Sequence, residues 1–216
     1  MKIHRPALYF TCCFLLIVLI GTSGCMTTAG KNYFQLSIPP EIIKPVSTAA
    51  SVTPVKIEKI LMVQPVKADE VYNDYRIVYR NSPYQVNFYP YDFWIKRPDV
   101  MIKDTILDFL RKREVFNAVL SDFTEQQPDW ILQSTVYIME EYDSQDSWFA
   151  HLKMEFLVKN IKTNERIAFH SFDRMKQLVE KKVLQLPVGI SQILREELNI
   201  LIIKLNDYMN ANIPKS

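Results

Sequence analysis

Trp130-Ile131-Leu132-Gln133-Ser134-Thr135-Val136-Tyr137-Ile138-Met139-Glu140-Glu141-Tyr142 is the run that decides the fold. It is rich in β-branched and aromatic residues and alternates with a period of two. That predicts a long strand with Ile131, Gln133, Thr135, Tyr137 and Met139 along one face. The next two runs repeat the pattern. In Trp148 to Ile161, Phe149, His151, Lys153 and Glu155 alternate against Ala150, Leu152, Met154, Phe156 and Val158. Arg166 to Leu178 comes after the turn Lys162-Thr163-Asn164-Glu165. Together the three runs predict an antiparallel meander with one wet face.

Working outward, Val188 to Asn210 carries Ile190, Ile193, Leu194, Leu198, Leu201, Ile202, Leu205 and Met209 at helical spacing, which predicts a closing helix. On the other side, Phe116 to Leu120 reads as a short strand or turn. Before it, Val100, Ile102, Ile106, Leu107, Phe109, Leu110 and Val115 form a stripe near the 3.6 period, and Pro98 opens that helix. Asp99 and Asp104 sit toward its start and Arg111-Lys112-Arg113 at its end, as the helix dipole favours. Arg76 to Arg80 and Gln85 to Tyr89 predict a hairpin around Asn81-Ser82-Pro83-Tyr84, with Pro90 ending its second strand. Val55 to Val63 predicts a buried strand and Tyr33 to Ile38 a brief one. Pro39, Pro40, Pro45 and Pro54 punctuate a linker between those two. The order is strands, helix, strands, helix. It predicts an α+β fold: a mostly antiparallel sheet with two main helices packed on one face.

The N-terminus carries a different message. Lys2, His4 and Arg5 form a cationic head, and Ala7 to Ile20 is an apolar run interrupted only by Thr11. The run is shorter than the roughly 20 residues a membrane-spanning helix needs. Gly21-Thr22-Ser23-Gly24-Cys25 follows, with small residues where a signal peptidase cuts. Ser23, Gly24 and Cys25 resemble a lipobox, which departs from the usual pattern at Thr22, where Leu is common. An uncleaved anchor and an ordinary secretory signal are the competing readings. The lipoprotein reading expects cleavage between Gly24 and Cys25 and lipid attachment at Cys25. Bacterial sorting resembles a default to the outer membrane unless Asp follows the cysteine. Met26 in that position implies a lipid anchor at the periplasmic face of the outer membrane. The expected organisation is a signal peptide over 1–24, a lipidated tether with a short strand and Pro-rich linker over 25–54, and an α+β domain over 55–212.

Composition then excludes several functions. Cys12 and Cys13 leave with the leader, so no disulfide remains beside an acylated Cys25. Of 26 Lys and Arg, Lys2 and Arg5 leave too, so 24 basic side chains face 24 acidic ones. That balance offers no electrostatic case for nucleic acid or anionic headgroups. Of four glycines only Gly30 and Gly189 survive cleavage, so no Gly-rich phosphate loop can form. His151 and His170 each lie in a predicted strand, and no Ser nucleophile elbow is present. No cofactor, metal site or catalytic set is expected. Glu140, Glu141, Asp143 and Asp146 read as a solvated strand end. Phe93, Trp94 and Arg97, between hairpin and helix, are the candidate interface residues, since aromatic and Arg side chains are enriched at binding hot spots. Trp94 also reads as a core residue. Twelve Phe and eleven Tyr suit a β-rich core, with an aromatic ligand channel as the competing reading.

A family resemblance joins these pieces. Beyond the lipobox come Tyr33-Phe34-Gln35-Leu36, Arg76-Ile77-Val78-Tyr79-Arg80, Phe88-Tyr89-Pro90-Tyr91 with Trp94, Phe116-Asn117-Ala118-Val119 and Asp129-Trp130-Ile131-Leu132. The combination resembles the auxiliary lipoproteins of ABC-type transport systems, the group that includes the paraquat-inducible protein C lipoproteins. The resemblance implies a non-enzymatic outer-membrane partner of an MCE-type system, which moves phospholipid between two membranes. The MCE-domain protein and the ABC permease and ATPase would be separate chains. A homo-oligomer is left open. Two alternatives stand beside this reading: a stand-alone periplasmic carrier of lipid or another hydrophobic ligand, and an envelope-assembly lipoprotein unrelated to transport.

Overall fold

The run that opens the meander becomes the organising strand of the sheet. In the computed structural model, which describes residues 30–39, 56–122 and 126–212, this strand covers Trp130–Asp143. Gly24, Cys25 and most of the Pro-rich stretch lie outside the described residues. In chain order the elements are β1 (Asn32–Phe34), β2 (Ile57–Val63), β3 (Lys67–Ala68), a 3-10 turn (Glu70–Tyr72), β4 (Arg76–Ser82), β5 (Gln85–Trp94), α1 (Pro98–Arg113), β6 (Phe116–Leu120), β7 (Trp130–Asp143), β8 (Trp148–Asn160), β9 (Arg166–Gln177) and α2 (Gln185–Ala211).

The expected meander is present. β7, β8 and β9 pair antiparallel along nearly their whole lengths. The remaining pairings overturn the expectation of a mostly antiparallel sheet. The second edge of β7 takes three parallel partners in succession: β2 at Trp130–Leu132, β3 at Thr135–Val136 and β4 at Glu141–Tyr142. β1 also pairs parallel with β5, and β2 with β6. The sheet, nine strands among the described residues, is therefore mixed. The reason is connectivity. β6 follows β2 by way of the β4–β5 hairpin and α1, and such a crossover returns the chain in the same direction. Side-chain alternation reports which face is wet, not which way the neighbouring strand runs.

Two irregularities shift faces. Register between β7 and β8 slips between Val136 and Ile138, so Tyr137 is the extra residue of a bulge. Before it Trp130, Leu132, Ser134 and Val136 point inward; after it Met139 and Glu141 do. Met139 therefore does not share the wet stripe of Gln133 and Tyr137, as the alternation alone predicted. In β5 the pairing with β4 jumps from Val78–Phe88 to Arg76–Phe93. Pro90 falls in that gap, where no ladder donor is required, so β5 runs through it to Trp94 instead of ending there.

Packing is continuous around one buried cluster. Ala150, Leu152, Met154, Phe156 and Val158 of β8 are all fully buried, as their alternation predicted. From α1, Ile102, Ile106, Phe109 and Leu110 are buried in the same cluster on the side of β2, β3 and β6; from α2, Ile190, Leu194, Leu198 and Leu205 are buried on the side of β8 and β9. Val100 is exposed and falls off the predicted stripe. The helices are joined directly by a hydrogen bond from Arg113 to Asn199. They are also joined through residues 36–38: the Leu36 amide reaches Met101 Sδ at 3.4 Å, and the Ser37 amide donates to Ser191 Oγ at 3.1 Å. Leu36 and Ile38 are buried. The compact body thus begins at Lys31. The short strand assigned to the tether belongs to the fold, because its apolar residues complete the core.

Candidate interaction surface

β1 is only three residues long, and its register places Tyr33 beside Phe93 and Phe34 beside Trp94. Strand alternation then sorts the two pairs to opposite faces. Trp94 is 1% exposed and belongs to the core, so it is corrected from interface candidate to support. Phe93 stays half-buried at the surface, with its ring 5.9 Å from that of Tyr33, which is 61% exposed. Tyr91 and Ile95, two residues either side of Phe93, are exposed as well. The Lys31 ammonium lies 5.5 Å from the Phe93 ring centroid.

Charges at the rim cancel. Arg97 is half-buried at the head of α1 and bonds Asp99 at 2.8 Å. Lys96 bonds Asp104 at 2.6 Å, and Asp92 accepts from Asn32 at 2.8 Å. The candidate residues Phe93 and Arg97 are thus accessible, on a rigid and nearly neutral aromatic face. Tyr33, Tyr91 and Ile95 complete that face. Tyr33 escapes a sequence reading because only the parallel docking of β1 on β5 brings it there, and Tyr91 and Ile95 because Pro90 reads as the end of the strand that in fact runs on to Trp94.

The expected solvated acidic patch is also corrected. Glu140 and Glu141 are 2% and 1% exposed. Glu140 accepts from the Tyr72 hydroxyl at 2.5 Å and from Arg80 Nε at 2.7 Å, with His151 Nδ1 at 3.7 Å. His151 Nε2 in turn lies 2.7 Å from Asp173. Burial alone would raise the Glu140 pKa, but the bonds from His151, Tyr72 and Arg80 outweigh it and hold the carboxyl below its ordinary range. His151 is the mirror case: burial lowers it, yet Glu140 and Asp173 carry it above an ordinary imidazole. Glu141 faces the core, and burial raises its pKa against the 2.8 Å bond from the Tyr89 hydroxyl.

A second buried cluster fastens α2 to β9. Glu197 meets His170 Nε2 at 2.6 Å and Arg174 Nε at 2.8 Å, and Lys204 Nζ lies 3.2 Å from His170 Nδ1. Both clusters spend their polar groups on one another, which suits holding elements together. Among the described residues, no group of three or more His, Cys, Asp or Glu is placed to hold a metal ion.

Two surface clefts flank α1. One of about 200 Å³ lies between residues 35–38 and α1, edged by Lys96, Asp104 and Asp108. The other, of about 390 Å³, lies between α1 and β6, edged by Lys56, Arg111 and Glu114. Both are polar-rimmed and open, unlike the enclosed apolar sites that bury most of a ligand. No helix of the described residues is long and apolar enough to cross a membrane.

The family model described as ABC-type transport auxiliary lipoprotein component matches residues 42–196. The crystal structure of protein XCC0632 from Xanthomonas campestris, a DUF330 protein, aligns with a TM-score of 0.68 at 13% identity, covering 83% of this chain and 99% of that one. A second crystal structure, of an uncharacterized protein, aligns with a TM-score of 0.63 at 13% identity, covering 82% and 99%. At that identity the likeness concerns the fold. No curated protein sequence matches the chain.

Proposed function

Because the chain belongs to the ABC-type transport auxiliary lipoprotein family, we propose that it is a non-enzymatic accessory of an MCE-type system moving phospholipid between two membranes. In this reading Cys25 carries the acyl chains and holds the folded body at the periplasmic face of the outer membrane. The MCE-domain protein, the permease and the ATPase are separate chains. The body contributes geometry: it presents a rigid module at the membrane to which a periplasmic conduit returns. Anchoring raises the effective concentration, so modest contacts suffice.

The observation that carries the proposal is the family match over residues 42–196, on a chain whose leader ends in Ser23-Gly24-Cys25. The family is a transport accessory and not an enzyme class. The packed interior supports an accessory over a stand-alone carrier. The aromatic surplus that could have lined a ligand channel goes into the core, as Trp94, Phe109 and Phe156, and onto the outer face of β5.

The test is a crosslinked pull-down of the mature lipoprotein from its own envelope, read by mass spectrometry. Recovery of an MCE-domain protein with its permease is the expected result. Recovery of phospholipid without those proteins would favour the carrier. Recovery of envelope-assembly proteins instead would favour a role outside transport.

A further inference from the structure

We infer that the outer face of β1 and β5 rests on the bilayer that holds the acyl chains of Cys25, at the level of zwitterionic headgroups. The inference rests on acylation of Cys25. The first argument is covalent reach. Six Cα-to-Cα steps, with five residues between, separate Cys25 from Lys31, where the compact body begins. Fully extended they span at most about 20 Å. A body of this size has a radius of gyration of about 16 Å. The edge containing Lys31 therefore cannot turn to the far side of the body while Cys25 stays at the membrane.

The second argument is the chemistry found at that edge. Tyr33, Tyr91, Phe93 and Ile95 present aromatic and aliphatic surface outward, next to Lys31, Lys96 and Arg97. Tyrosine rings with a polar tip, flanked by long cationic side chains, are the side chains that settle at a membrane–water interface. The third argument is charge. Lys31, Lys96 and Arg97 are matched by Asp92, Asp99 and Asp104, two of which are directly bonded to them. A nearly neutral face gains little from anionic lipid and meets a zwitterionic surface without repulsion. The face is also preformed. Trp94 is locked in the core behind it, and the Asn32–Asp92 bond at 2.8 Å pins β1 to β5.

Because Cys25 is the only cysteine of the mature chain, single labelling sites can be introduced cleanly. The experiment uses the acylated, mature chain in phosphatidylcholine and phosphatidylethanolamine vesicles. Tyr91→Cys, Ile95→Cys and, as a control in an exposed turn, Lys162→Cys each carry an environment-sensitive fluorophore. Headgroup spin-labelled phosphatidylcholine should quench the labels at 91 and 95 and shift their emission to the blue, while the label at 162 stays aqueous. High salt should leave the quenching unchanged. Labels at 91 and 95 that are as water-accessible as the one at 162, on protein that mass spectrometry shows to be acylated and vesicle-bound, would overturn the inference. So would labels that are aqueous on vesicles but shielded in the native envelope, which would assign the face to a protein. A chain without acyl mass would instead remove the anchoring reading on which the inference depends.

Discussion

Gly189 of α2 lies against Ala150 of β8 so closely that a Cβ at residue 189 would come within 2.6 Å of the Ala150 Cβ and 3.0 Å of Leu178 Cδ2. This contact sets how near the helix approaches the sheet. Gly189→Ala gains about 1 kcal/mol of helix propensity. The clash forces α2 away from a close-packed layer, and overpacking of this kind costs about 1–3 kcal/mol. The expected outcome in urea unfolding is a net loss of stability. The double variant Gly189→Ala with Ala150→Gly should regain most of it, since the two sites share one volume. A neutral single variant would mean the helix shifts freely, contrary to this packing.

The imidazole of His151 makes stability depend on pH with a definite sign. Its folded pKa is raised, so its contribution is fully present below the ordinary value of 6.5 and is lost as pH rises through the folded pKa. Glu140 acts at the other end: its folded pKa is lowered, so its contribution is present above 4.5 and is lost as pH falls through the folded value. Unfolding curves from pH 6 upward should show declining stability, and His151→Gln should flatten that decline. An unchanged slope in the variant would assign the decline to other groups.

Glu197 is the keystone of the contact between α2 and β9, whereas Arg174 closes it from solvent. Removing the carboxylate in Glu197→Ala leaves His170 Nε2 without its hydrogen-bond partner in a buried site, and an unsatisfied buried polar group costs about 1–3 kcal/mol. Arg174→Ala should have a much smaller effect, because that side chain is largely exposed. Chemical denaturation of the two variants, compared with wild type, checks the order. Equal losses would show that the ion pair with Arg174 dominates.

Cys25→Ala should leave the fold unchanged by circular dichroism and release the protein from the membrane fraction. Each buried methylene of an acyl chain contributes about 0.8 kcal/mol, so losing the chains removes the dominant anchor. The outer face of β1 and β5 would give at most weak, salt-insensitive residual binding. A variant that still pellets fully with outer membrane would argue against lipid anchoring at this residue.

Much of the secondary structure was legible before any tertiary contact was known. The alternation from Ala150 to Val158 marked a strand with one buried face, and all five inward residues are buried. Pro98 marked the start of α1, and the apolar stripe from Ile190 to Leu205 marked α2. These signals are local: the backbone repeats every 2 or 3.6 residues, and burial of one face writes that period into the residues. The candidate surface was half legible. Phe93 and Arg97 stood out by type, but Tyr33 joins them from 60 residues away, through the register of β1 on β5.

The sequence by itself marked most of the strands and both helices, and it carries the lipobox-like residues Ser23-Gly24-Cys25, since such signals depend on neighbours along the chain. Only the tertiary structure decided that β7 takes three parallel partners along one edge, that Tyr137 bulges and turns Met139 inward, and that Leu36 and Ile38 complete the core between two helices. It also decided that Glu140 and Glu141 are buried. A carboxylate near a turn reads as solvated until Tyr72, Arg80, His151 and Tyr89 arrive from distant segments to replace its water. Pairing direction, register and the partners of a buried charge are set by contacts remote in sequence, and residue periodicity does not encode them.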